Sequence, residues 1–220
     1  MQTVDISGRK CHIVIKGADL PTVYWGEMKD SSEYIEKVLE LCSDVKCNFV
    51  VYEVMDWNTE FSPWEFTLNK KMFFQGGGRK TLDWLINECI EYCEKELGLN
   101  GKRFICGYSL AGLFSLWAFY ESRLFSGVMS CSGSLWFGGW ISYAEEHIAP
   151  ADSSVYLSLG DREEKARDRI MASVGECTRR EYEIISGDKN VSRHIFEVNE
   201  GGHFTEPEKR IAKAIKWSIK

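Results

Sequence analysis

Hydrophobic positions recur along this chain with two alternating periods. Residues 11–16 (CHIVIK) and 22–25 (TVYW) are short β-branched and aromatic runs that read as opening strands. Tyr34, Ile35, Val38, Leu39 and Cys42 then fall at helical spacing behind the polar start Asp30-Ser31-Ser32. Asn48–Val54 (NFVVYEV) is apolar at successive positions, as a strand covered on both faces must be. Leu82, Leu85, Ile86, Cys89, Ile90, Cys93 and Leu97 trace one stripe of an amphipathic helix, and Gly98 stands where a left-handed cap belongs. The alternation repeats in the second half. A strand at Arg103–Cys106 feeds a helix over 110–120 that is apolar nearly all round, and further strands are expected at 127–131, 154–159 and 192–198. The last helix opens on Thr205-Glu206-Pro207-Glu208, a capping box with proline in its first turn, and turns Ile211, Ala214, Ile215 and Ile219 inward. Strands that alternate with helices predict an α/β fold, a mostly parallel sheet with helices on both faces. Its ligand belongs at the carboxyl ends of the strands.

No repeat, low-complexity tract or Pro/Gly linker divides the 220 residues, so one domain over 1–220 is expected. A chain of this length buries roughly 70% of its unfolded surface and needs no disulfide or metal to build a core. Lys plus Arg number 27 against 33 Asp plus Glu, a net charge of −6. That balance disfavours nucleic acid, whose backbone requires a basic face. The first ten residues lack the apolar core of a signal peptide, and no run approaches the 18 apolar residues of a membrane span. The eight cysteines are scattered without a C-x-x-C. They are expected as small core residues in a reducing, cytoplasmic setting rather than as disulfides or metal ligands.

Phe104–Gly112 (FICGYSLAG) carries the chemistry. A strand meets a helix at one serine, with small residues two before and two after it. That spacing fits a sharp turn that lifts the Ser109 hydroxyl above the sheet edge. It also lets the Leu110 amide, at the helix start, point at a developing oxyanion. Ala111 replaces the more usual glycine and adds only a methyl. Two later strands end in suitable partners. Strand 154–159 runs into Gly160-Asp161-Arg162-Glu163-Glu164, where Asp161, Glu163 and Glu164 are all candidate acids. Strand 192–198 runs into Asn199-Glu200-Gly201-Gly202-His203, and His203 alone of the four histidines sits in a loop at the right strand end. The order serine, acid, histidine suits a base that takes the serine proton and an acid that orients it.

The stretches GYSLAG (107–112), SCSGSLWF (130–137), SLGDREE (158–164) and EGGHF (200–204) together resemble the esterase D and enterochelin-esterase-like branch of the α/β-hydrolases. The loop DWNTEFSPW (56–64) is similar to a segment of small bacterial members. The resemblance extends from about residue 20 onward and implies an α/β-hydrolase fold, and 220 residues leave little chain for a separate lid domain. The resemblance implies Ser109 as nucleophile, His203 as base and Glu163 as acid, with Asp161 as rival, and Leu110 as one oxyanion donor. The second donor would come from Tyr24-Trp25-Gly26-Glu27, at Gly26 or Glu27. It implies a small-molecule ester substrate and no cofactor.

Trp57, Trp64, Phe73, Phe74, Trp136, Phe137 and Trp140 fall in two loops, 55–78 and 134–150, that this topology brings near Ser109. Trp57, Trp64 and Trp136 are the expected substrate contacts. The expected activity is hydrolysis of a carboxylic ester through an acyl-enzyme. Acyl transfer to an acceptor other than water is the alternative on the same fold, and a non-catalytic ligand-binding module is the alternative of another class.

Overall fold

The computed structural model describes residues 1–220. Its strands are β1 (Gln2–Ile6), β2 (Arg9–Val14), β3 (Thr22–Met28), β4 (Asn48–Val54), β5 (Glu65–Asn69), β6 (Met72–Gln75), β7 (Arg103–Tyr108), β8 (Gly127–Cys131), β9 (Ser153–Gly160) and β10 (Val191–Asn199). Its helices are α1 (Ser32–Leu41), α2 (Trp57–Glu60), α3 (Gly78–Trp84), α4 (Glu91–Lys95), α5 (Leu110–Ser122), α6 (Trp140–Glu146), α7 (Arg169–Ala172), α8 (Val174–Gly187) and α9 (Pro207–Ser218). Eight strands form one sheet in the order β1-β2-β4-β3-β7-β8-β9-β10, and β5 and β6 pair as a separate antiparallel hairpin. From β4 through β3, β7, β8 and β9 to β10 every neighbour is parallel, while β1 and β2 run antiparallel at one edge.

The period-two alternation of each central strand feeds two cores. Phe49 and Val51 of β4, Val23 and Trp25 of β3 and Cys106 of β7 meet Ile35 and Val38 of α1 and Ile211 and Ile215 of α9. Val50, Tyr52, Tyr24 and Ile105 meet the other face, under Leu82, the α5 side chains and Trp140. Helix α5 is buried at every position from Leu110 to Tyr120, which explains its lack of a polar stripe. All eight cysteines are unpaired, seven of them buried. No helix is long and apolar enough to cross a membrane.

Several boundaries differ from the sequence reading, each for a local reason. β3 runs three residues past Trp25, because Gly26, Glu27 and Met28 continue to pair with β4 after the contact with β7 has ended. The helical stripe of Leu82–Leu97 starts at Gly78 and passes through a π-helical stretch at Leu85–Ile90. Gly98 takes the left-handed cap at φ +67° as expected. The capping box does not form. Helix α9 starts at Pro207 behind a left-handed Glu206, and the Thr205 hydroxyl instead accepts the Gly202 N–H at 3.1 Å. The long segment after Met55 is structured as α2 and the β5–β6 hairpin.

Glu181 of α8 is fully enclosed, with Tyr120 Oη and Trp140 Nε1 each donating to one of its carboxyl oxygens at 3.0 Å. Burial pushes this carboxyl up to about 7, and the two hydrogen bonds offset it only in part. The folded chain therefore keeps a proton there that the unfolded chain releases near the ordinary 4.5. Between those values the native state binds more protons, so stability falls as pH rises and levels off above about 7. Glu181→Gln supplies the neutral form at every pH, with its amide oxygen facing the indole and its NH2 facing the phenol. Thermal melts should show the variant more stable than the parent by roughly 5 °C at pH 8 and little changed at pH 5. A loss of stability at pH 8 would contradict a carboxyl raised by burial.

Candidate active site

The strand-to-helix turn after β7 holds Ser109 at φ 57°, ψ −122°, a backbone conformation that side chains other than glycine rarely adopt. The turn is possible because the flanking residues are small. A Cβ on Gly107 would lie 2.1 Å from the Ala111 carbonyl oxygen, so only glycine allows α5 to start so close to β7. The opposite close approach falls on Gly112, where a Cβ would meet Ser130 Oγ at 3.0 Å and Gly133 Cα at 3.1 Å. Ala111 is therefore tolerated where the more usual motif has glycine. The Leu110 N–H opens α5, where the first helical amides lack an intrahelical acceptor and carry the positive end of the helix dipole.

His203 Nε2 lies 3.0 Å from Ser109 Oγ, and His203 Nδ1 lies 2.7 Å from Glu163 Oε2. Glu163 stands on a 3-10 turn, Glu163–Lys165, directly after β9, and is almost wholly buried. Burial alone would raise its carboxyl. Hydrogen bonding to His203, the imidazole charge, the Ser132 hydroxyl and the Gly160 amide outweigh it and hold the group below the usual carboxylate range. An ionised Glu163 fixes the proton of His203 on Nδ1, leaving Nε2 to accept from the serine hydroxyl. The other acid candidates are engaged elsewhere. Asp161 Oδ1 accepts the Gly201 N–H at 2.8 Å, and Glu164 pairs with Arg179 at 2.7 Å. His12 is likewise remote from this cluster, buried against Glu53 at 2.8 Å.

The inner oxygen of Glu163 is held by residues the sequence reading passed over. Oε1 accepts from Ser132 Oγ and the Gly160 N–H at 2.7 Å each and from Arg210 Nη1 at 2.9 Å. Arg210 also donates to Tyr108 Oη, Ser132 Oγ and the carbonyls of Glu200 and Gly202, and Tyr108 Oη donates to the His203 carbonyl at 2.6 Å. A signal was present. Arg210 precedes Ile211 by one and Ala214 by four, which puts a charge on the inward face of an amphipathic helix.

Two openings meet at Ser109. The larger, about 330 Å³, is walled by Trp57, Met72, Phe74, Trp136, Met171 and Val174 and reaches Leu110, Glu163 and His203. The second, about 300 Å³, lies on the α1 side and is lined by Glu27, Tyr34 and Tyr108 among others. Trp57 and Trp136 thus stand where the sequence places them. Trp64 does not. Its Nε1 donates to the Gly138 carbonyl at 2.8 Å and its ring packs on Phe137 and Tyr143, so it seals the hairpin onto the loop after β8. Gly26 also departs from expectation. It lies inside β3, where a Cβ would run into the Phe61 and Tyr52 rings at 2.6 and 2.7 Å, and it lines neither opening. Glu27, the alternative in that segment, is the residue that reaches the second opening.

A family model named Esterase and described as “Putative esterase” matches residues 20–207. No curated protein sequence matches the chain. Among solved structures, an IroE-like serine hydrolase from Shewanella oneidensis superposes with a TM-score of 0.78 at 17% identity, over 96% of this chain and 75% of that one. The siderophore hydrolase EstA from Aspergillus nidulans gives a TM-score of 0.74 at 16% identity, over 95% and 89%. Enterochelin esterase from Shigella flexneri gives 0.68 at 12% identity, over 96% of this chain and 53% of that one. These likenesses make the architecture an α/β-hydrolase fold.

The strain at Ser109 is open to measurement. Its side chain makes no capping bond to α5, so replacing it forfeits no cap. Ser109→Gly relieves a conformation costing on the order of 1–3 kcal/mol and gives back part of that in unfolded-chain entropy. Urea unfolding should find the glycine variant about 1 kcal/mol more stable than the parent, and Ser109→Ala no more stable than it. A glycine variant weaker than the parent would mean the turn stores no strain.

Proposed function

The chain belongs to this esterase family, and from that premise we propose that it hydrolyses carboxylic esters through an acyl group carried on Ser109. The observation that carries the reading is the continuous hydrogen-bonded line from Ser109 Oγ through His203 to an ionised, buried Glu163. An ester carbonyl carbon approaches Ser109 Oγ, whose proton passes to His203 Nε2 as the new C–O bond forms. The imidazolium is stabilised by Glu163 Oε2, which stays ionised. The carbonyl oxygen becomes an oxyanion, and the Leu110 N–H at the head of α5 is the donor positioned for it. His203 returns the proton to the departing alkoxide, and the alcohol leaves. A water then enters along the same line and bonds to the acyl carbon as His203 Nε2 takes its proton. The bond from that carbon to Ser109 Oγ breaks, His203 returns the proton to Oγ, and the carboxylic acid leaves.

The wall chemistry supports an apolar acyl group. A cavity of about 330 Å³ faced by tryptophan, phenylalanine, methionine and valine offers burial area and few hydrogen-bond partners. Two structural neighbours are named siderophore hydrolases, and a siderophore ester is one substrate class to test.

A fluorophosphonate probe tests the mechanism. The parent protein should gain one covalent adduct, located on Ser109 by peptide mass analysis. Ser109→Ala should take up none and lose at least about 1,000-fold in kcat/KM on p-nitrophenyl butyrate. An adduct that persists in the alanine variant, or a parent that never labels, would remove Ser109 as the nucleophile.

A further inference from the structure

Each opening is lined by four aromatic rings and one carboxyl, but the carboxyl of the first, Glu163, is paired and that of the second is not. The lining of the second includes the rings of Tyr34, Trp57, Tyr108 and Phe204, one carboxyl, Glu27, and no lysine or arginine. Glu27 is about nine-tenths buried and has no ion-pair partner. Its carboxyl accepts from the adjacent Met28 amide at 3.1 Å, and this bond together with the Trp25 side chain beside it offsets burial only in part, so the carboxyl is pushed up to about 7. Tyr34 lines the same opening, and its phenol is pushed up first by burial and next by the charge of Glu27. Every other strongly buried carboxylate near the site is satisfied. Glu163 has Arg210 and His203, and Glu53 has His12. Glu27 alone keeps acceptor capacity facing an open groove.

A desolvated carboxyl without a counter-charge holds its proton to higher pH, and a cation that arrives beside it draws it into the charged form. Aromatic faces around it favour the same visitor, since a ring quadrupole attracts cations and a surrounding of rings suits an alkylated ammonium. The charge of Arg210, which touches Tyr108 from behind, is already met by Glu163 and does not repel such a group. The groove shares Ser109, His203, Trp57 and Phe204 with the apolar cavity, so a substrate lying across Ser109 occupies both. We infer that Glu27 and the rings around it form an ammonium-binding subsite, selecting esters whose alcohol half carries an aliphatic ammonium group. This assignment of the alcohol half rests on the serine-hydrolase reading above. The recognition of the cation does not.

Two matched esters separate charge from shape. Butyrylcholine and 3,3-dimethylbutyl butyrate have alcohol halves of the same outline and differ by the positive charge. The parent enzyme should prefer the cationic ester in kcat/KM by at least about tenfold. Glu27→Gln keeps the volume and removes the charge, and should bring that ratio close to one. Equal rates on the two esters in the parent, or an undiminished preference in the variant, would overturn the inference. Calorimetric titration with choline provides a readout that needs no turnover. The parent should bind it and Glu27→Gln should bind it at least about tenfold more weakly, whereas a parent that binds none overturns the subsite. Should the fluorophosphonate leave Ser109 unlabelled, the hydrolase reading falls and the titration still decides the subsite.

Discussion

Arg210 and Glu163 form a salt bridge of 2.9 Å in which neither side chain keeps more than 4% of its surface in water. Taking two charges that far out of solvent is costly, and their attraction compensates only if the remaining donors and acceptors are also met. Here they are. One guanidinium nitrogen serves Glu163, Ser132 and Tyr108, and the other serves two backbone carbonyls on either side of Gly201. The pair therefore ties together the end of β7, the turn after β8, the turn after β9 and the loop after β10 from a single residue on α9. Those are the segments that carry or flank Ser109, Glu163 and His203. The imidazole keeps its place because the peptide groups before and after Gly201 are held from below, and because its own carbonyl accepts from Tyr108. Preorganisation of this kind is what a charge-developing reaction needs, since donors that must swing into place cost free energy at the moment of reaction.

The same economy bears on the strained backbone at Ser109, φ 57° and ψ −122°. The parallel strands β7, β8, β9 and β10 end side by side, so loops from all four meet above one sheet edge, with Ser132 after β8 and Gly201 after β10 also at positive φ. Only the serine must be lifted above the edge, and the helix below supplies the reason the turn holds. Helix α5 is enclosed along its first eleven residues and cannot shift to relax Ser109 without emptying the larger core. A packed helix enforcing one unfavourable turn is a way to spend stability gained in the core on the exposure of a hydroxyl.

How much of this was readable beforehand follows the range of the interactions. The central strands, the buried helix and the serine turn are local matters of period and side-chain size, and residues 103–120 state them openly. The relation of Ser109 to His203 is not local, yet chain order and strand ends were enough to indicate it. Glu163 could not be separated from Asp161 and Glu164 by position. The choice was made by a three-residue turn that points one carboxyl inward, toward Ser132 and Arg210, and leaves the others at the surface. Arg210 itself was legible only as an anomaly, a cation at an inward position of α9. Thr205 misled because its hydroxyl satisfies the rule for a cap and is claimed instead by Gly202 across the loop. Trp64 and Gly26 misled in a common way. Both belong to segments that approach the site, and both spend their chemistry on packing, the tryptophan on the Gly138 carbonyl and the glycine on the rings beneath β3.

The over-long β3 joins these threads. Three further residues paired to β4 carry Glu27 to the sheet edge on the face shared with Trp25, the α1 side. Period two then requires its side chain to lie on that face, where Tyr34 and Tyr108 stand. A carboxyl delivered there by strand register cannot retreat into solvent, because the backbone on either side is hydrogen-bonded into the sheet. The asymmetry of the two openings, one with its acid paired and the other with its acid unpaired, is thus a consequence of how far one strand extends.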